Sequence, residues 1–182
     1  MLKSILIHIA TTDEISALGA LVKRSARLLS RGYYSDVEID AAIKHVFGVD
    51  SELVSDGSYF VAMVDGALAG CGGWSKRTTL FGGDRYSGRT SGLLDPATDP
   101  AKIRAFFVAP DFARMGVGTA ILQACETAAR AAGFTQGELM ATLPGVPFYE
   151  VRGYVRREPV QLDLGGVKVA FVPMAKSFSA AG

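Results

Sequence analysis

Cysteine is scarce in this chain, with only two among 182 residues. Cys71 and Cys125 both sit in apolar surroundings and lack any metal-ligand spacing. Each therefore reads as a small core residue, not as a ligand or half of a disulfide. Charge of one sign is lacking as well. Nineteen Lys and Arg face eighteen Asp and Glu, for a formal net charge of +1, so the broad basic field of a nucleic-acid binder is excluded. No apolar run reaches the length needed to span a membrane. The stretch Met1 to Ala10, with Lys3 and His8 inside it, is too short for a secretory signal. The expectation is a cytoplasmic protein with no metal site. What remains is ordinary: 49% hydrophobic residues and no internal repeat. This suits a single domain over residues 1–182, long enough to bury a full core.

Taken in order, Leu2 to Ile9 alternates as a first strand, with Ile5, Ile7 and Ile9 on one face. Thr11-Thr12-Asp13-Glu14 supplies caps and acidic charge for a helix reaching about Ser30. Gly32 ends it. Tyr33 and Tyr34 fall in the following loop, and Ser35 or Asp36 caps a second helix through Val46. Gly48 to Gly57 is polar and turn-rich. Ser58 to Val64 and Ala67 to Trp74 form an antiparallel pair across Asp65-Gly66, a strong two-residue hairpin signal. Gly70, Gly72 and Gly73 in the latter strand predict a bulge or the close approach of another backbone. Ser75 to Lys102 has no period and reads as an irregular loop. Lys76, Arg77, Arg85, Arg89 and Arg104 give it a basic bias, either as a solvated surface or as contacts for an anionic group.

The stretch around which the chain is organised is Ile103 to Leu122. Ala105-Phe106-Phe107-Val108 reads as a buried strand that Pro110 stops, since proline cannot donate to a ladder. The turn Arg114-Met115-Gly116-Val117-Gly118 and a helix start follow. Unpaired N–H groups at a helix N-terminus point outward, the helix dipole adds partial positive charge, and glycines admit an anion closely. This loop is expected to hold a phosphate-bearing ligand. In the helix, Ile121, Leu122, Cys125, Ala128, Ala129 and Ala132 share one narrow face, with Gln123, Glu126, Thr127 and Arg130 opposite. Gly133 stops it, and Phe134 to Thr142 is the next strand. A dinucleotide-binding loop is disfavoured, because Ile121 stands where a third glycine is needed and Met140 to Gly145 offers no acidic residue. Near the C-terminal end comes Pro147-Phe148-Tyr149-Glu150-Val151-Arg152-Gly153-Tyr154. Strands over Val160 to Leu164 and Val167 to Met174 turn at Gly165-Gly166, and residues 176–182 read as a fraying tail.

V-x-P followed by G-x-G-x-x-I-L resembles motif A of the GNAT superfamily of N-acetyltransferases. F-Y-x-x-x-G-[FY] resembles the motif near the C-terminal end of those domains. Ala113 departs from the pattern, occupying a position where the family usually has Gln or Arg. The resemblance implies an α/β (mixed α+β) GNAT fold, with a central, mostly antiparallel twisted sheet of six to seven strands. Strands 4 and 5 splay in a V, and about four helices flank the sheet. It implies acetyl-CoA as donor, with pantetheine along Phe106, Phe107 and Val108 and the pyrophosphate on Arg114, Met115, Gly116, Val117, Gly118 and Thr119. Tyr149 is the implied acid for the leaving thiolate. Tyr33 and Tyr34 lie in the loop that commonly forms one wall of the acceptor site. The reaction implied is acetyl transfer to a primary amine of a small molecule or peptide, through a tetrahedral intermediate. An ammonium must lose a proton before it attacks. Glu138 is the first candidate base, ahead of Glu150, which the helical step turns toward solvent, and His8, which reads as a core histidine. Water is the remaining option. A non-catalytic acyl-CoA-binding module is the alternative reading, and dimerisation is common in such domains.

Overall fold

The first helix starts are written in short polar residues. Ser35 and Glu38 form a reciprocal capping box, with Glu38 N–H donating to Ser35 Oγ at 3.2 Å and Ser35 N–H donating to Glu38 Oε2 at 2.7 Å. Thr11 and Glu14 form a second, in which Thr11 N–H donates to Glu14 Oε2 at 2.9 Å. A computed structural model describes residues 3–178. Its elements are β1 (Ile5–Ile9), α1 (Ile15–Leu29), α2 (Asp36–His45), α3 (Ser51–Ser55), β2 (Tyr59–Val64), β3 (Ala67–Ser75) and β4 (Ala101–Val108). These are followed by α4 (Val117–Ala131), β5 (Gln136–Ala141), α5 (Val146–Glu150), β6 (Val155–Arg156), β7 (Val160–Leu164) and β8 (Val167–Ser177). The fold is mixed α/β around one eight-stranded, mostly antiparallel sheet, ordered β1-β2-β3-β4-β5-β8-β6 with β7 also on β8. Among the strands of the described residues, the one parallel pairing is between β4 and β5.

Alternation along the strands divides the core in two. Tyr59, Val61 and Cys71 face one side, where α1 and α2 bury Leu18, Val22, Ile39 and Val46. Ala62, Val64 and Ala69 face the other, where α4 brings Val117, Ile121, Leu122 and Cys125, and α5 brings Tyr149. Gly73 is where backbones crowd, since a Cβ there would fall 2.7 Å from the Ser58 carbonyl oxygen. The expected bulge on β3 is present at Ala69, because Gly70 faces Ala62 while Leu68 already faces Met63.

Three expectations need correction. The stretch 48–57 is not only turns, because Asp50 caps a short helix, α3, by accepting from Leu53 N–H at 3.2 Å. Lys176 and Ser177 do not fray: they pair with Gly137 and Gln136, and buried Phe178 anchors the strand end against Gly137. Residues 179–182 of the expected tail lie outside the described residues, as do Met1 and Leu2 of the expected first strand. Glu126 is not on a solvated face. It is buried, accepting from Tyr154 Oη at 3.0 Å and Lys176 Nζ at 2.9 Å.

Candidate active site

Among the described residues, β4 and β5 are hydrogen-bond paired only at Ala101–Gly137 and Lys102–Glu138. Beyond that point β4 keeps β3 on one side and is open on the other. A cavity of about 240 Å³ fills the gap, lined by Ile103 to Val108 of β4 and Leu139 to Ala141 of β5. Ala105 to Val108 are accordingly half-buried instead of fully buried as a strand core would be. A second bulge opens the site. Cys71 pairs with Phe107 and Gly73 with Arg104, so Ala105 and Phe106 together oppose Gly72. Ala105 takes a left-handed φ of 54°, which costs an L-residue roughly 1 kcal/mol. Fully buried Tyr59 holds the bulge by donating its hydroxyl to the Ala105 carbonyl at 3.0 Å.

Tyr149 lines the same cavity from α5. Its ring meets Phe106 edge-on at 6.0 Å and Phe148 at 5.0 Å. Burial pushes its phenol well above the ordinary value of 10, so the hydroxyl stays protonated. At the foot of β4 the loop before α4 turns through two left-handed residues, Arg114 (φ 62°) and Gly116 (φ 86°). The first helical hydrogen bond there is Ala120 N–H to Gly116 O at 3.0 Å. The N–H groups of Val117, Gly118 and Thr119 therefore have no partner within the helix. The space over Gly116 is open, with only an Ile5 methyl within 4 Å of a Cβ placed there, at 3.8 Å. At Gly118 a Cβ would stand 3.0 Å from the Phe148 ring, so glycine is what lets α5 close down on the helix start. Arg152 completes this end. Its guanidinium lies 3.8 Å over the Phe148 ring, donates to the Phe148 carbonyl at 2.7 Å and grips Thr119 Oγ1. Outward N–H groups, an open approach and a cation with no carboxylate partner among the described residues together fit a phosphate-bearing ligand.

Residues 25–154 match the family model described as "Acetyltransferase (GNAT) family". The chain belongs to the GNAT acetyltransferase family. No curated protein sequence matches it. Solved structures with the same fold include a GCN5-related N-acetyltransferase from Rhodopseudomonas palustris, with a TM-score of 0.71, 22% identity, and coverage of 97% of this chain and 98% of that one. The PaiA N-acetyltransferase of Thermoplasma acidophilum, in complex with coenzyme A, gives 0.64 and 16% over 96% and 99%. A GNAT family acetyltransferase of Brucella melitensis, in complex with acetyl-CoA, gives 0.58 and 13% over 97% and 90%.

Several residues picked from the GNAT pattern stand elsewhere than expected. Glu138 is at the zipped end of the β4–β5 pair, ion-paired to Lys102, and does not line the cavity. Its carboxylate is occupied before the strands separate, so it is not placed as a base. Tyr33 is 53% exposed and lies off the cavity wall. Tyr34 is buried, donating to Ala170 O at 2.6 Å and accepting from Leu143 N–H at 2.9 Å. Burial raises its phenol to about 12. These two bonds make it a strut between its loop, β8 and the turn after β5, and it does not line the cavity. His8 is exposed and bonded to Glu14 at 2.8 Å, not a core histidine. The loop arginines are also engaged. Arg77 forks onto Asp56 at 2.7 and 2.8 Å, and Arg89 reaches Asp50 at 3.0 Å and Gly82 O at 2.7 Å. Arg104 donates to Glu52 at 2.6 Å, and its Nε lies 2.8 Å from Asp50 Oδ2 as a close charge contact without hydrogen-bond alignment. Arg152 was hidden among the variable positions of F-Y-x-x-x-G-[FY]; only its spacing from Phe148 marks it. Among the described residues no group of three or more His, Cys, Asp or Glu is placed to hold a metal, and no helix is long and apolar enough to cross a membrane.

Proposed function

We propose that the protein is an acetyl-CoA-dependent N-acetyltransferase acting on a primary amine of a small molecule or peptide. The observation that carries this is the continuity of three features. They are the outward N–H groups of α4, the open edge of β4 and the protonated Tyr149 hydroxyl on the cavity between them. In this reading Met115 to Thr119 hold the pyrophosphate, with Arg114 and Arg152 adding charge. The unpaired edge at Phe106, Phe107 and Val108 takes pantetheine as an added strand. The donor supplies an activated acyl group, a thioester carbonyl with a thiol leaving group. A backbone N–H of β4 stabilises negative charge on that carbonyl oxygen. Tyr149 donates its proton to the departing sulfur. The coenzyme A and acetyl-CoA complexes of the related folds support the donor assignment.

Tyr149→Phe separates an enzyme from a binding module of the same fold. The expected result is a fall in kcat of about 10² to 10⁴-fold, with acetyl-CoA affinity by calorimetry unchanged. Full activity in this variant would remove Tyr149 from the mechanism. Absence of acetyl-CoA binding by the unaltered protein would remove the donor assignment.

A further inference from the structure

The cavity continues through the sheet past β4 to the α1 side, where it is walled by Ala26 and Leu29 of α1, Phe47, Phe81, Phe107 and Phe171. The aromatic rings form one set. Phe47 meets Phe107 edge-on at 5.4 Å and Phe171 at 6.2 Å, and Phe81 stands 5.9 Å from Phe171. Apart from Arg104, the polar side chains on this side are uncharged, chiefly the buried Ser25 and Ser30. No Asp, Glu, His or Lys among the described residues lines the cavity. The only ionic side chain on the wall is Arg104, and Asp50 and Glu52 already neutralise it. Tyr149 is the only other titratable group there.

An alkylammonium entering this space would shed its water and find no carboxylate to replace it, an unfavourable exchange of several kcal/mol. It would also find no carboxylate or histidine to act as base. At neutral pH only about one aliphatic amine in 2,500 is unprotonated. An amine whose lone pair is delocalised into an aromatic ring arrives neutral, and its ring packs edge-to-face against phenylalanines. We infer that the acceptor is a weakly basic aromatic amine, with its nitrogen attached directly to the ring. This rests on the acetyl-transfer reading above. The nitrogen lone pair forms the bond to the thioester carbonyl carbon, and the carbon–sulfur bond breaks. The sulfur takes the Tyr149 hydroxyl proton, and the acidic N–H of the new ammonium returns a proton to the Tyr149 oxygen. The products are an N-aryl acetamide and free thiol.

The test compares aniline with benzylamine, nearly equal in size and differing in basicity, as acceptors for the full-length protein. Acetyl-CoA binding is measured first by calorimetry. Its absence would overturn the donor reading and this inference with it, whereas binding isolates the acceptor question. The expected result is kcat/KM for aniline about tenfold or more above benzylamine at pH 7, and flat from pH 6 to 8.5, while benzylamine turnover climbs with pH as its neutral fraction grows. Preference for benzylamine at pH 7, or failure to acetylate aniline despite bound acetyl-CoA, overturns the inference. Leu29→Trp, at a position 37% exposed on the cavity rim, tests the location without a buried substitution. It should raise the aniline KM about tenfold with acetyl-CoA affinity unchanged. An unchanged KM would place the acceptor elsewhere.

Discussion

Replacing Tyr34 with Phe removes one oxygen and leaves two backbone groups without a partner. The Tyr34 hydroxyl sits between Ala170 O on β8 and Leu143 N–H just after β5, 136 and 109 residues away in sequence. It ties the α1–α2 connection to both strands beyond the splay. A buried group deprived of its partner costs about 1–3 kcal/mol. Both bonds here are only part-buried, which puts each near the lower figure, so the variant should lose about 2 kcal/mol. For a chain of this length that lowers Tm by about 4–8 °C. Urea denaturation should show a lower midpoint at unchanged slope, since the surface exposed on unfolding is the same. The acceptor KM should stay within about twofold, because the ring still fills its place among Phe171 and its neighbours. A KM increase of about tenfold at unchanged Tm would refute the strut and return Tyr34 to the acceptor site.

Two further predictions concern charge and protonation. Arg152→Gln should weaken acetyl-CoA binding about 10- to 150-fold by calorimetry, since a charged hydrogen bond contributes about 1.5–3 kcal/mol, with little effect on a pantetheine analogue lacking phosphates. Equal losses for both ligands would show that Arg152 acts only through packing on Phe148. Burial raises the Cys71 thiol to about 12 from an ordinary 9, and the Tyr34 phenol to about 12 from 10. A group whose folded value is raised holds its proton more tightly when folded. Its stability is fully present below the unfolded value and lost as pH rises toward the folded one. Urea midpoints should therefore be level up to about pH 8.5 and fall between about pH 9 and 12, with Cys71→Ala delaying the onset; a level profile to pH 11 would contradict the burial of these groups.

The sequence was most readable where local chemistry decides the outcome. Caps at Thr11 and Ser35, the hairpin at Asp65-Gly66 and the glycine turn before α4 all act over a few residues, and each is where its residues place it. The apolar stripe of α4 was right at Ile121, Leu122, Cys125 and Ala129. It failed at Glu126, because the partners that permit burial, Tyr154 and Lys176, come from 28 and 50 residues away. The bulge at Ala105 was invisible for the same reason: alanine carries no signal for a left-handed φ, and Tyr59 imposes it from another strand. Glu138 had the right residue type in the right strand. Its position beside Lys102, off the cavity, follows from where the β4–β5 pairing ends, which no local pattern encodes.

The same dependence on distant partners explains how residues 76–100, without a regular element, can form a wall of the cavity. Arg89 leaves this segment to meet Asp50, whose carboxylate is fully buried, and Glu52, while its bond to Gly82 O fixes the turn that carries Phe81, Gly82 and Gly83 to the cavity. Arg104 of β4 contacts the same Asp50 and donates to Thr79 O at 2.7 Å. One carboxylate thus joins a helix cap, the strand that borders the cavity and the loop that closes it. Removing Asp50 would leave Arg89 and Arg104 sharing Glu52 alone, a loss toward the lower end of about 3–5 kcal/mol. Apolar packing alone would tolerate the loop sliding by a residue, whereas an ion cluster with directional hydrogen bonds does not. The charges nearest the cavity are therefore spent on holding its shape, which is why the cavity itself presents rings and uncharged groups to its ligand.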